Sequence, residues 1–149
     1  MSTIETWYHG TSKENAEKIM ENDFDLNFFR KGKSGKGVYF SNSKEYVKRY
    51  GKESELAVVV CQIDMKKIKE LSSKQYSELI NEANNGNANN KKLYINDKTL
   101  FEIPKVVKGS GFYGISFPAT NVNDSTKKLV IFDLNANVIL SKQLHLHLK

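Results

Sequence analysis

The chain has 149 residues, 39% of them hydrophobic and 11% aromatic, which is enough to bury one core in a single domain spanning 1–149. It contains no apolar run approaching the ~20 residues that cross a bilayer, no basic stretch followed by an apolar segment at its start, and one cysteine, Cys61, which excludes an internal disulfide. The formal charge of +6 suits anionic partners, but the only arginines are Arg30 and Arg49, and lysine lacks the planar fork of bidentate phosphate contacts, so a solvated lysine surface is the plainer account. These features lead us to expect a monomeric protein working off the membrane in a reducing cytoplasm, either its own cell's or a target cell's.

In chain order, residues 5–9 are short, aromatic and β-prone and predict a strand. Thr11 and Glu14 have the spacing of a capping box, and Ala16, Ile19 and Met20 follow at helical spacing, predicting a helix that ends near Asn22. Phe24, Leu26 and Phe28 mark a partly buried loop, and Gly32, Gly35 and Gly37 with their interspersed lysines mark a flexible one without a Walker pattern. Residues 38–41 predict a second strand, after which Asn42 or Ser43 caps a helix running through Tyr50. The β-branched run over 55–64 predicts a central strand buried on both faces, with Cys61 as a buried, inert thiol. A helix is expected over 65–82, split near Ser72-Ser73.

Residues 81–92 hold an Asn-rich, low-complexity stretch expected to be an exposed loop. A short helix over 100–107, interrupted at Pro104, precedes strands over 112–117, 129–133 and 138–148. With helices gathered early and antiparallel strands late, the order predicts an α+β sandwich. His145 and His147 alternate with leucines and could share a metal as strand neighbours, but no cysteine or acidic cluster joins them, so no metal site is assigned.

The chemistry concentrates in three segments: Tyr8-His9-Gly10-Thr11, Gly35-Lys36-Gly37-Val38-Tyr39-Phe40-Ser41, and residues 46–51 ending in Tyr50-Gly51. They supply a histidine with two hydrogen-bonding edges, a glycine that permits close main-chain approach, and two tyrosines flanking a short helix. That set can hold a flat heteroaromatic amide against a ring and grip a neighbouring ribose. Taken singly, His9 reads as a satisfied strand histidine and each tyrosine as core; the spacing of the set argues for a site.

Together these segments resemble the ADP-ribosyltransferase superfamily, in its diphtheria-toxin and poly(ADP-ribose) polymerase-like, or H-Y-E, branch. The likeness continues through residues 56–64 and reappears at Gly111-Phe112-Tyr113-Gly114-Ile115 and Leu129-Val130-Ile131-Phe132-Asp133. The resemblance implies a split β-sheet sandwich with short flanking helices, and NAD as co-substrate. It further implies that His9 bonds the adenosine ribose 2′-hydroxyl, that Gly10 meets the nicotinamide carboxamide with its main chain, that Thr11 contacts the cofactor, and that Tyr39 and Tyr50 sandwich the nicotinamide ring. His9 and Tyr39 are thereby candidate catalytic residues.

Two positions depart from the family pattern. Val47 stands where many relatives carry a serine, and Lys128 where the polymerase-like members carry a glutamate. A carboxylate there stabilises positive charge developing on the sugar and accepts a proton, which an ammonium opposes. Three accounts stay open: another acid (Asp124, or Glu102) fills the role, the acceptor's own carboxylate assists, or NAD binds without turnover. The expected activity is mono-ADP-ribosylation of a macromolecule, a protein ahead of a nucleic acid, with nicotinamide released. The alternatives are a non-catalytic module binding NAD, ADP-ribose or a protein on the same fold, and a nucleic-acid-modifying transferase.

Overall fold

The computed structural model describes residues 3–25, 30–32, 35–47, 56–83, 97–119, 125–134 and 138–145. β1 (Ile4–Ser12) runs directly into α1 (Lys13–Asn22). β2 (Arg30–Gly32) and β3 (Gly35–Ser41) form an antiparallel hairpin where glycines alone had predicted a loop. α2 is the four-residue helix Lys44–Val47, so the rest of the helix expected through Tyr50 lies outside the described residues. After β4 (Leu56–Asp64) come a single 3-10 turn (Met65–Lys67), β5 (Ile68–Glu70) and α3 (Ser73–Ala83). α4 (Asp97–Gly109), β6 (Gly114–Pro118), β7 (Lys127–Ile131) and β8 (Ile139–His145) complete the order.

Capping chemistry explains where several elements begin. α1 is capped by Ser12, whose hydroxyl accepts from the Asn15 N–H at 3.1 Å, not by Thr11. The shift by one residue lets Thr11 stay in β1, opposite Ala57 of β4, while Glu14 pairs with Lys18 one turn on. The helix expected over 65–82 breaks because Asp64 turns the chain early: its carboxylate accepts from the Lys66 N–H and the Thr3 hydroxyl, and those bonds hold its pKa below the usual range. Ile68–Glu70 then joins the sheet as the parallel neighbour of β6, the one parallel pairing among the described strands. Ser72 and Gln75 form a reciprocal capping box that starts α3. α4 is longer than 100–107 and runs through Pro104 rather than being interrupted there. Of the Asn-rich segment, 81–83 belong to α3 and 84–92 lie outside the described residues.

The strands order as β5-β6-β7-β3-β1-β4-β8, with β2 on β3. One face is covered by α1 and collects Trp7, Ile19, Phe24, Phe40, Cys61 and Leu129. The other packs α3 and α4 through Ile80, Ile103, Val107, Ile115 and Phe117, with Tyr76 stacked on Phe117 at 3.9 Å between ring centroids. Each such buried apolar side chain contributes about 1.5–3 kcal/mol of transfer free energy. β4 is buried on both faces only from Leu56 to Val59; beyond that, Val60 and Gln62, which alternate with the buried Cys61 and Ile63, are half-exposed. Burial pushes the Cys61 thiol up to about 12, in keeping with an inert core cysteine.

β1 and β3 meet at a single register pair, Tyr8↔Ser41, whereas β1 follows β4 from Ile4↔Asp64 to Ser12↔Leu56. The sheet is therefore split between β1 and β3, with β4 and β8 on one side and β7, β6 and β5 on the other. This is the α+β split-sheet architecture expected from the sequence.

If Ser12 rather than Thr11 caps α1, Ser12→Ala should lower stability by about 1 kcal/mol. Thr11→Val, which keeps a β-branched residue in the strand, should change it far less. Urea denaturation of the two variants measures the difference.

Candidate active site in the sheet split

The split opens immediately beyond Tyr8 and Ser41. Continuing that register would set His9 opposite Phe40 and Gly10 opposite Tyr39; instead the strands diverge and the His9 ring enters the gap. Its Nδ1 lies 2.8 Å from the main-chain oxygen of Tyr39. A carbonyl oxygen only accepts, so Nδ1 carries the proton, and in the neutral ring Nε2 is then the acceptor nitrogen. Phe24 packs edge-on to the imidazole at 5.2 Å and Phe40 lies tilted at 5.6 Å, fixing the plane of the ring.

Gly10 faces α2. A Cβ at that position would overlap the Val47 carbonyl oxygen and approach the Val47 Cβ to 3.0 Å. The glycine thus lets a four-residue helix sit against β1, a packing reason distinct from the approach of a ligand. Val47, 1% exposed, fills that contact, which accounts for an apolar residue where relatives carry serine. Tyr39, half-buried, packs against the face-two cluster and stands in register with Val130 of β7. Thr11 is half-buried in β1.

Lys128 lies two residues before Val130 and so on the same sheet face as Tyr39, in register with Ser41 and Phe117. Its ammonium is 5.4 Å from the ring centroid of Tyr46 on α2, a cation–π arrangement. On the other side of α2, Lys44 Nζ donates to His145 Nδ1 at 3.1 Å, so His145 is engaged by an ammonium. Among the described residues no group of three or more His, Cys, Asp or Glu is placed to hold a metal, and no helix is long and apolar enough to cross a membrane.

The structure joins the His9 ring to the main chain of Tyr39 across the split; Gly10 follows in β1 against α2, Thr11 lies further along β1 opposite Ala57, and Lys128 stands in register with Ser41 on β7. Tyr50 and Asp124 lie outside the described residues, as does the side chain of Glu102. Sequence reasoning missed Phe24 as the wall of His9, and it took Asn42 only as a helix cap. The aromatic spacing at Phe24 was visible, but nothing local pairs it with a strand fifteen residues earlier. Phe24 also borders a cavity of about 180 Å3 lined by Asp23, Ile131, Asp133, Leu134 and Val138.

The model of the poly(ADP-ribose) polymerase catalytic domain matches residues 4–112. That span contains His9, Gly10, Thr11, Tyr39 and Tyr50 and stops short of Lys128. No curated protein gives a significant match to the chain.

Because its Cβ would meet the main chain of Val47, Gly10→Ala should destabilise the protein by about 1–3 kcal/mol even without ligand. Chemical denaturation in the absence of nucleotide measures this.

Proposed function

The chain belongs to the poly(ADP-ribose) polymerase catalytic-domain family, and so to the NAD-dependent ADP-ribosyltransferases; from that premise we propose that it transfers a single ADP-ribose to a macromolecular acceptor and releases nicotinamide. The observation that carries the proposal is the His9 Nδ1 contact to the Tyr39 carbonyl, because it sets the imidazole across the sheet split, one residue before Gly10 and against the main chain of Tyr39.

The residues present fit the dinucleotide. His9 Nε2, as an acceptor, suits a ribose hydroxyl that donates. The main chain of Gly10 would pair the carboxamide, and Thr11 would add a hydroxyl. Tyr39 and Tyr50 would bracket the pyridinium ring, a stacking worth about 0.5–1.5 kcal/mol beyond area burial. The cavity beside Phe24, where the carboxylates of Asp23 and Asp133 stand among Ile131, Leu134 and Val138, suits the base of the adenosine half. When bound, NAD supplies an activated glycosidic bond: the C1′–N bond breaks, its electron pair leaves with nicotinamide, and the acceptor atom bonds C1′ as its proton passes to a base or solvent.

Lys128 sets the character of the reaction. Its ammonium, resting on Tyr46, puts positive charge where a carboxylate would favour charge development on the sugar. Chain elongation in relatives depends on that glutamate, so the product is a single unit, and the missing carboxylate falls to Asp124 or to the acceptor. The same ammonium favours a second reading, in which the site binds NAD without turnover.

Isothermal calorimetry with NAD, followed by transfer of labelled ADP-ribose, tests the first reading. Binding should be lost or severely weakened in His9→Ala and Tyr50→Ala; absence of binding by the intact protein would overturn it. Nicotinamide release separates turnover from binding alone. Lys128→Glu should raise that release at least ~10-fold by restoring a carboxylate beside the sugar, and an unchanged rate would show that residue 128 does not face the reacting ribose.

A further inference from the structure

The segment Ser41-Asn42-Ser43 ties three parts of the site together through hydrogen bonds that no local sequence pattern announces. Asn42 Nδ2 donates to the Ser125 carbonyl at 2.9 Å, and its Oδ1 accepts from the Lys127 N–H at 2.8 Å. Its own N–H donates to the Lys127 carbonyl at 3.2 Å. One carboxamide therefore reads both polarities of the main chain at the start of β7. Beside it, the Ser41 hydroxyl donates to the same Lys127 carbonyl at 3.1 Å and accepts from the Ser43 N–H at 3.1 Å. Ser43 in turn caps α2 by accepting from the Tyr46 N–H at 3.2 Å. Ala119 N–H donates to the Thr126 carbonyl at 2.9 Å, closing the base of the connection between β6 and β7.

The clamp is thus made between the residue that leads into α2, which lies against Gly10 through Val47, and the chain that leads into Lys128 at the start of β7. We propose that Asn42 is a positioning residue for the transfer: it fixes the start of β7, where Lys128 stands, relative to the nicotinamide side, at Gly10 and α2. This rests on the transferase reading above. Asn42 touches neither reacting atoms nor dinucleotide in this assignment; it acts by holding two main-chain segments at one separation. Because Asn42 is solvent-exposed, its bonds contribute modestly to folding, and the effect of removing them falls on geometry.

The test compares unsubstituted protein, Asn42→Ala and Asn42→Asp in steady-state nicotinamide release from NAD, with thermal melting alongside. Asn42→Ala removes both side-chain bonds, whereas Asn42→Asp keeps an oxygen for the Lys127 N–H and loses the donor to Ser125. The expected result is a kcat lowered by about 10- to 100-fold in Asn42→Ala, a smaller loss in Asn42→Asp, and a KM for NAD unchanged in both. A purely structural role would lower activity only in proportion to the folded fraction at unchanged kcat per folded molecule. That outcome, a rise in KM at constant kcat, or equal behaviour of all three proteins would overturn the proposal while leaving the transferase reading intact. No nicotinamide release from the unsubstituted protein would overturn the transferase reading itself, and this inference with it.

Discussion

A histidine bonded across a gap in a β-sheet governs the rest of this structure. Antiparallel strands normally zip until a turn or a bulge stops them. Here the ladder between β1 and β3 stops after Tyr8↔Ser41, and the imidazole of His9 takes over the bridging by bonding the Tyr39 carbonyl. The contact sets the width of the split and the tautomer of the ring. It also decides which main-chain stretches, around Gly10 and Tyr39, border the opening. Phe24 and Phe40 hold the ring in place, so the core formed with α1 supports the site directly. The other core supports it through Tyr39, which packs against the cluster that includes Val107, Ile115 and Val130.

Much of this was legible in the residues, for physical reasons that differ by element. The strands β1, β3, β4 and β7 were readable because aromatic and β-branched runs carry their own preference. His9, Gly10 and Tyr39 were readable because their spacing matches a family pattern. What escaped was non-local. Ser12 displaced Thr11 as the cap because pairing of Thr11 with Ala57 extends β1 by one more residue, a tertiary effect invisible to a local capping rule. Residues 65–70 failed to become a helix because Asp64 caps a tight turn and Ile68 finds a neighbour in β6, more than forty residues away. The partners of Asn42 are likewise more than eighty residues distant.

Gly10 shows how a residue singled out for one reason can carry another. The sequence presents it as a place where a ligand comes close to the main chain. The structure adds that its missing side chain is already taken up by α2, whose Val47 occupies the space. The two are compatible: a glycine whose Cβ side is filled by a helix still offers its peptide groups to the split. Lys128 ties the same helix to the other half of the sheet: its strand pairs with β3, and its ammonium is drawn to the Tyr46 ring on α2.

β8 ends the sheet, and an outermost strand invites other chains to pair with it. Lys142, only 14% exposed, points inward from that strand, where its ammonium meets Asp23 and the Ile19 carbonyl at the close of α1. Desolvation depresses its pKa, so the charge is kept there at some cost. A terminal strand carrying a sequestered ammonium is a poor template for growth into fibrils. The contact that finishes α1 thereby also gives the fold resistance to self-association along its border.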